Sequence, residues 1–252
     1  ENMRRNRLRT CLTGFAVAWG IFMLIVLLGS GNGLLNSFRA GASTINTNTM
    51  QIGGGFTSKP YGGLKAGRSI MLDDRDMAIT GGDLFSDHVD EVSATVSSSA
   101  TVVYGANSFS GSIVGDYPEH QDMEKIVILD GRFINRKDIR DRRKVVVIPQ
   151  DRAEDLLDGR PAAELVGKRV TIKGLSFLVV GISKADMMSG SNIFYAPFST
   201  VRTIFSKGNT LDDITFTFHG LDTEEDNAEF ERSYKAAVNL SHGAAPDDES
   251  AI

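Results

Sequence analysis

The hydrophobic pattern changes character twice along the chain. From Cys11 to Leu28 the residues are apolar apart from threonine and glycine breaks near the start. The stretch "FAVAWGIFMLIVLL" carries no polar stripe, which a helix lying on a soluble core would show. Crossing about 30 Å of hydrocarbon takes roughly 20 apolar residues at about 1.5 Å each, whereas a signal peptide's apolar region is about 7–15 residues long. Length and pattern together predict a membrane helix. "GLLNSF" then keeps apolar residues at helical spacing, so the helix is expected to run on as a stalk, over residues 11–38 in all. Arg4, Arg5, Arg7 and Arg9 flank the run. Positive charge marks the cytoplasmic end of a span, so residues 1–10 are expected in the cytoplasm and everything after about Gly31 outside.

Beyond the stalk the period shortens. "AGASTINTNTM" (40–50) reads as a small polar linker and "MQIGG" as a short strand. The glycines and proline of 53–69 mark a loop. "LDDRDM" opens a short helix: Asp73 caps it, Asp76 stands three residues on, and Gly81 and Gly82 end it. From 89 to 115 apolar residues alternate at Val92, Ala94 and Val96, then Val102 and Tyr104, which predicts two or three strands. "EKIVILDGRF" reads as a strand ending in a turn at Asp130-Gly131. "RKVVVIP" is a near-continuous apolar strand and hence central. "DRAEDLLDG" is a short helix, "KRVTIKGLSFLVVGI" a hairpin bending at Gly174, and "NIFYAP" a strand followed by a helix capped by Ser199. "DDITFTFHG" alternates at Ile214, Phe216 and Phe218. In "DTEEDNAEFERSYKAAV", Phe230, Tyr234 and Val238 recur every four residues, and Glu224, Glu225 and Asp226 favour the helix start. The sum is an α+β fold, with a β-rich middle inserted into a part built from both ends.

Composition narrows the class. The 252 residues are 41% apolar and 23% charged, as in ordinary folded proteins, and the net charge of -5 argues against nucleic acid. A single cysteine, Cys11, excludes an intrachain disulfide and reads as a passive thiol. Candidate chemistry is thin. "DDRD" (73–76) lacks the ligand spacing of a calcium loop, and helix capping accounts for it. "IGGGF" (52–56) lacks the lysine and hydroxyl of a phosphate loop and reads as a flexible turn. His88, His120, His219 and His242 show no metal-binding spacing. No nucleophile elbow occurs. "VSSSA" (96–100) reads as the solvent face of a strand, and the mixed charges of "NRKDIRDRRK" (135–144) as a solvated loop. Met187 and Met188 read as packing residues in a loop, or as an adaptable contact surface. No catalytic constellation results, and neither a cofactor nor a metal site is expected on this chain.

Several segments together resemble the MacB/FtsX-like family of ABC transporter permeases. "NRLRTCLTGFAVAWGIFMLIVLLGSGNG" is similar to the family's first membrane helix. "LDDRDMAI", "LDGRFINRKDIRDRRKVVVIPQDRAEDLL", "LVGKRVTIKGLSFLVVGI" and "IFYAPFSTVRTIF" resemble its later segments in the same order, and "HGAAPDDESAI" resembles Bacteroidetes members. The resemblance implies a membrane helix carrying a periplasmic domain. That domain would have an α/β porter-like part (44–105 and 209–252) and an inserted β-rich part (106–208). It implies an inner-membrane location, further membrane helices after Ile252, and a second permease copy. It also implies an ABC-type ATPase that binds the ATP, with a periplasmic adaptor and outer-membrane channel as further partners. The implied mechanism is mechanical, for export or envelope remodelling. The transmitting residues would be Phe15, Trp19, Ile21, Phe22, Leu24 and Leu28. Gly29, Gly31 and Gly33 would form the junction, permitting either close dimer packing or a bend. The residues alone leave two alternatives, a single-pass membrane-anchored sensor or binding module, and a secreted enzyme that keeps its signal.

Overall fold

The period-two pattern of 89–115 resolves into two strands, as expected; the first, β3 (Val89–Tyr104), runs for 16 residues. In this computed structural model residues 12, 14–24, 26–27, 48–185 and 192–252 are described. Residues 1–45 and 46–252 form separate compact units. In the larger unit, β3 pairs through its first half with β11 (Asp213–Phe218), which pairs in turn with β1 (Thr49–Gly53), all antiparallel. β1 thus begins at Thr49, one residue before the expected "MQIGG" strand. This open sheet carries α7 (Glu224–Ser241) on one face. Phe216 lies 6.1 Å from Phe230 and 5.1 Å from Tyr234, and Phe85 closes on both rings. Each such buried side chain stabilises by about 1.5–3 kcal/mol relative to exposure. α2 (Asp74–Thr80) packs against α7, where the Thr80 hydroxyl and Tyr234 phenol hydrogen-bond at 2.6 Å. Asp73 and Asp76 form the expected capping box, beside the short antiparallel pair of β2 (Leu72–Asp73) and β10 (Thr210–Leu211).

The second half of β3 returns as β4 (Asn107–Asp116) and starts a different structure. β4 pairs parallel with β9 (Ile193–Pro197), which touches β6 (Val145–Pro149). β6 pairs parallel with β8 (Leu175–Ser183), β8 pairs with β7 (Arg169–Ile172), and β7 pairs back onto β3 at Val102 and Val103. Those six strands close into a ring, which leaves no open edge among them. The "VVVIP" strand is buried at all five positions, as its apolar run predicts. The hairpin bends at Lys173-Gly174 as expected, both residues having positive φ. Phe109 meets Phe194 edge-on inside the ring. α5 (Gln150–Leu156) buries Ala153 and Leu156 against it. One contiguous core joins ring and open sheet, running from Ile52 and Leu72 through Phe177 to Tyr234.

Three local expectations change. Asp130-Gly131 is not a terminal turn: both residues lie in β5 (Ile128–Gly131), which pairs with β8. Ser199 is not a cap but sits inside α6 (Phe198–Ile204), its hydroxyl donating to the Ile139 carbonyl at 2.5 Å. The charged run 135–144 is solvent-exposed over most of its length, as expected, but it is not a loop throughout. It contains α4 (Arg136–Arg140) with a capping box from Asn135 to Asp138. Asp138 is fully buried and accepts from Arg132 at 2.6 and 3.2 Å and from the Asn135 amide at 3.1 Å, with Arg143 at 3.5 Å. A buried carboxylate needs such partners to offset its lost hydration. Met187 and Met188 lie outside the described residues.

Phe216→Ala empties the fully buried centre of the α7 face. It should cost about 3–5 kcal/mol, read as a lower urea midpoint by circular dichroism. A loss under about 1 kcal/mol would show that α7 does not depend on this contact.

Candidate functional site

Val96 is where β3 changes partner. Residues up to Thr95 pair with β11, and from Val96 onward β3 pairs with β4. The strand thereby carries the ring and the open sheet on one backbone, and the region around the handover is a seam between them. Asp212 secures it. Its amide donates to the Thr95 carbonyl at 2.9 Å, and its carboxylate accepts from the Ser97 amide at 2.6 Å and the Ser97 hydroxyl at 2.5 Å. The neighbouring Asp213 is half-buried, and that burial, with the Asp212 charge beside it, raises its carboxyl above the ordinary range.

Gly115 lies opposite Val96. A Cβ there would stand 2.7 Å from Val201 Cβ on α6 and 2.9 Å from Val96 Cγ2. Only glycine lets α6, β3 and β4 approach so closely. α6 then reaches across the seam. Arg202 grips Asp74 at the start of α2 through two nitrogens, at 2.8 and 2.6 Å, and also donates to the Gly208 carbonyl. The Asp74 hydrogen bonds hold the Arg202 guanidinium protonated more firmly than usual. Arg202 lies over the Phe198 ring, which stacks on Tyr117 at 4.7 Å. Between these residues, Arg142 and Asn209 runs an open groove of about 600 Å³. With Asp74 half-exposed, the ion pair adds only about 0.2–1 kcal/mol.

Among the described residues no group of three or more His, Cys, Asp or Glu side chains is placed to hold a metal ion. The aspartates of "DDRD" are engaged in capping and in the grip on Arg202. The "GGG" of 53–55 is not a free turn. The Gly55 and Phe56 amides donate to the carbonyls of Ala251 and Ser250, both at 2.9 Å, and a Cβ on Gly55 would lie 2.3 Å from the Ser250 oxygen. These glycines bring two distant segments edge to edge.

The sequence-predicted transmission residues lie elsewhere. Phe15, Trp19, Ile21, Phe22 and Leu24 sit on α1, the helix seen at residues 12, 14–24, 26 and 27, and each is at least half exposed. Phe15 stacks on Trp19 at 6.0 Å, and Trp19 meets Phe22 at 5.7 Å. Leu28, Gly29, Gly31 and Gly33 lie outside the described residues. Among the described residues no helix is long and apolar enough to cross a membrane. Sequence reasoning missed Asp74, Arg202, Asp212 and Gly115. Asp74 and Arg202 are 128 positions apart, and no local pattern pairs them.

The family model described as "MacB-like periplasmic core domain" matches residues 10–237. Among curated relatives, the macrolide export ATP-binding/permease protein MacB 1/2 of Paracoccus denitrificans is 27% identical over 218 residues, covering 85% of this chain and 31% of that protein. The macrolide export ATP-binding/permease protein MacB of Chlorobaculum tepidum is 23% identical over 256 residues, covering 100% of this chain and 38% of that protein. The chain thus spans about a third of the length of these relatives. Among solved structures, the periplasmic region of MacB from Actinobacillus actinomycetemcomitans superposes with a TM-score of 0.63 at 24% identity, covering 81% of this chain and 88% of that one. The extracellular domain of the noncanonic ABC-type transporter YknZ from Gram-positive bacteria gives 0.58 at 22% identity, covering 72% and 87%. These two likenesses establish the fold.

Gly115→Ala should overpack the seam and cost about 1–3 kcal/mol. Combining it with Val201→Ala should recover part of that loss, because the added methyl then has room. Urea denaturation of the double-mutant cycle reads this coupling. Strictly additive losses would separate Gly115 from α6.

Proposed function

The chain belongs to the MacB-like periplasmic core domain family, and on that premise we propose that it is the first membrane helix and outer domain of an ABC transporter permease. In this reading the chain belongs to a permease subunit longer than itself. It pairs with an ABC-type ATPase and a second permease copy in a bacterial inner membrane, with residues 1–10 in the cytoplasm and the folded domain in the periplasm. Neither ATP nor another cofactor binds to this chain. The output is export or envelope remodelling, and an adaptor and an outer-membrane channel complete some such assemblies.

The observation that carries the reading is the extent of the family match. It begins at residue 10, at the edge of the apolar run, and continues through the folded unit. Helix and domain therefore match as one module. The exposed apolar side chains of α1 support it, since a helix apolar on every side is stable in water only when something covers it. The porter-like part (44–105 and 209–252) and the β-rich part (106–208) are then the bodies that shift, and the Asp212, Gly115 and Arg202 seam is their hinge. ATP turnover displaces the membrane helix, and the helix changes the angle at the seam. This is hinge closure, a known form of switching, and it needs an element with two arrangements of similar energy.

Two measurements test it. Ile21→Asp places a charge in the middle of the apolar run, at an insertion cost of about 2.5–3.5 kcal/mol. Membrane yield should fall sharply, and an undiminished yield would remove the anchor. For the hinge, Asp74→Cys and Arg202→Cys can be bridged by a cleavable bismaleimide in the complex with its ATPase. Bridging should suppress ATP turnover coupled to the outer domain, and cleavage should restore it. Unchanged turnover in the bridged complex would rule out motion at the seam.

A further inference from the structure

On the side of the open sheet away from α7 lies a buried polar cluster that the hinge reading does not use. β4 ends at Asp116, whose side chain is fully buried, and four residues later His120 starts the short helix α3 (His120–Met123). His120 Nε2 stands 3.6 Å from Asp116 Oδ2, just beyond a direct hydrogen bond. Asp116 Oδ1 accepts from the Tyr117 amide at 2.8 Å, which leaves Oδ2 as the free oxygen. Ser93 on β3 and Thr215 on β11 are register partners and therefore share this face. Both are fully buried, and α3 lies against β11. Four atoms here are buried without a hydrogen-bond partner: Asp116 Oδ2, His120 Nδ1, Ser93 Oγ and Thr215 Oγ1. So many unpaired polar atoms together need an explanation, such as a titrating proton or internal water.

We propose that Asp116 and His120 form a proton-holding latch that fastens α3 over β11, and that the latch opens as the surroundings turn alkaline. The latch spans the seam, because Asp116 and His120 follow from the ring while Ser93 and Thr215 belong to the open sheet. The inference needs only that α3 and β11 can part, and does not depend on the transporter reading.

The charges around the pair set its protonation. Burial dominates at Asp116 and pushes its carboxyl well above the ordinary range; the Tyr117 amide opposes this, as does the Ser93 hydroxyl nearby, although its geometry falls short of a hydrogen bond, while Glu124 and Glu119 reinforce it. Glu119 is itself held by Arg136 at 2.7 Å. α3 adds Asp122, β3 carries Asp90 and Glu91, and β11 carries Asp213, all acidic, while α6, which packs on β4, carries the basic Arg202, itself paired with Asp74. Asp90 in turn pairs with His219 at 3.0 Å. Burial pushes the His120 imidazole down to about 4. On this proposal the closed latch holds one proton, on Asp116, beside a neutral imidazole.

Opening returns both groups to water, where Asp titrates near 3.9 and His near 6.5 (approximate values). Between about pH 4 and 6.5 the opened pair still holds one proton, now on His120, so opening neither takes up nor releases a proton. Above about 6.5 the opened imidazole is neutral too, and the Asp116 proton leaves to solvent. The closed state then binds one proton more than the open state, so each further pH unit favours opening by up to about tenfold, until Asp116 ionises in place.

The test is amide exchange on the full chain in detergent, reported as protection factors, which divide out the intrinsic pH dependence. In the wild type, protection of the amides from His120 to Glu124 should be level from about pH 4.5 to 6.5 and then fall by up to about tenfold per unit. Asp116→Asn should remove that fall. His120→Gln should abolish the plateau, so that the decline begins near the ordinary carboxylate range instead. A merely structural role would move none of these slopes. Level protection in the wild type above pH 6.5, or an unchanged fall in Asp116→Asn, would overturn the latch. Should that variant fail to fold, infrared spectra of carbon-13 aspartate-labelled wild type decide. A protonated aspartic carbonyl band near pH 6 that fades on alkalinisation supports the latch, and its absence refutes it.

Discussion

The structure depends on one strand serving two sheets. β3 spends its first half between β1–β11 and the covering helices, and its second half closing the ring with β4 and β7. Because a strand's side chains alternate strictly, its register is fixed at both ends at once. A slip of one residue would turn Ala94 away from α7 and Val102 out of the ring together. The handover at Val96 is therefore a point of precise geometry. Asp212, Gly115 and Val201 converge there for that reason.

The polar groups of the seam follow two regimes. Asp212 and the Asp74–Arg202 pair lie near water, have matched partners and contribute little to stability. They can open and close at small cost. Asp138 is the opposite case. It is sealed from water, saturated by Arg132, Asn135 and Arg143, and binds α4 to the ring as a rigid piece. Asp116 and His120 fit neither regime, being sealed but not saturated. That mixture separates polar groups locked by their partners from polar groups whose partners are incomplete.

Much of the local structure was legible in the sequence because its cause was local. The capping box of Asp73 and Asp76, the bend at Gly174 and the Phe230, Tyr234 and Val238 stripe each lie within one element. The ring was not legible. Its closure depends on parallel pairs, β4 with β9 and β6 with β8, whose partners lie far apart in sequence and leave no short-range mark. The run 135–144 hid its one buried member, Asp138, because Arg132, the partner that stabilises it, sits outside the run. Ser199 resembled a cap because its type and place fit one, while its hydroxyl serves the Ile139 carbonyl instead. The seam was invisible for the same reason as the ring. The family resemblance was legible all the same, because order and spacing of modest segments carry more information than any one of them.

The pairing of Gly55 and Phe56 with Ser250 and Ala251 has a consequence for how the domain bears load. Tension applied between residues 48 and 252 enters at one end of β1 and leaves beside the other. It runs along β1 rather than across it, so the β1–β11 hydrogen bonds share the force at once instead of yielding in turn. The open sheet is thus loaded in shear, the stiff direction of a strand pair. A pull at that corner would be passed inward to β3 with little stretch, rather than lost in peeling the edge of the sheet.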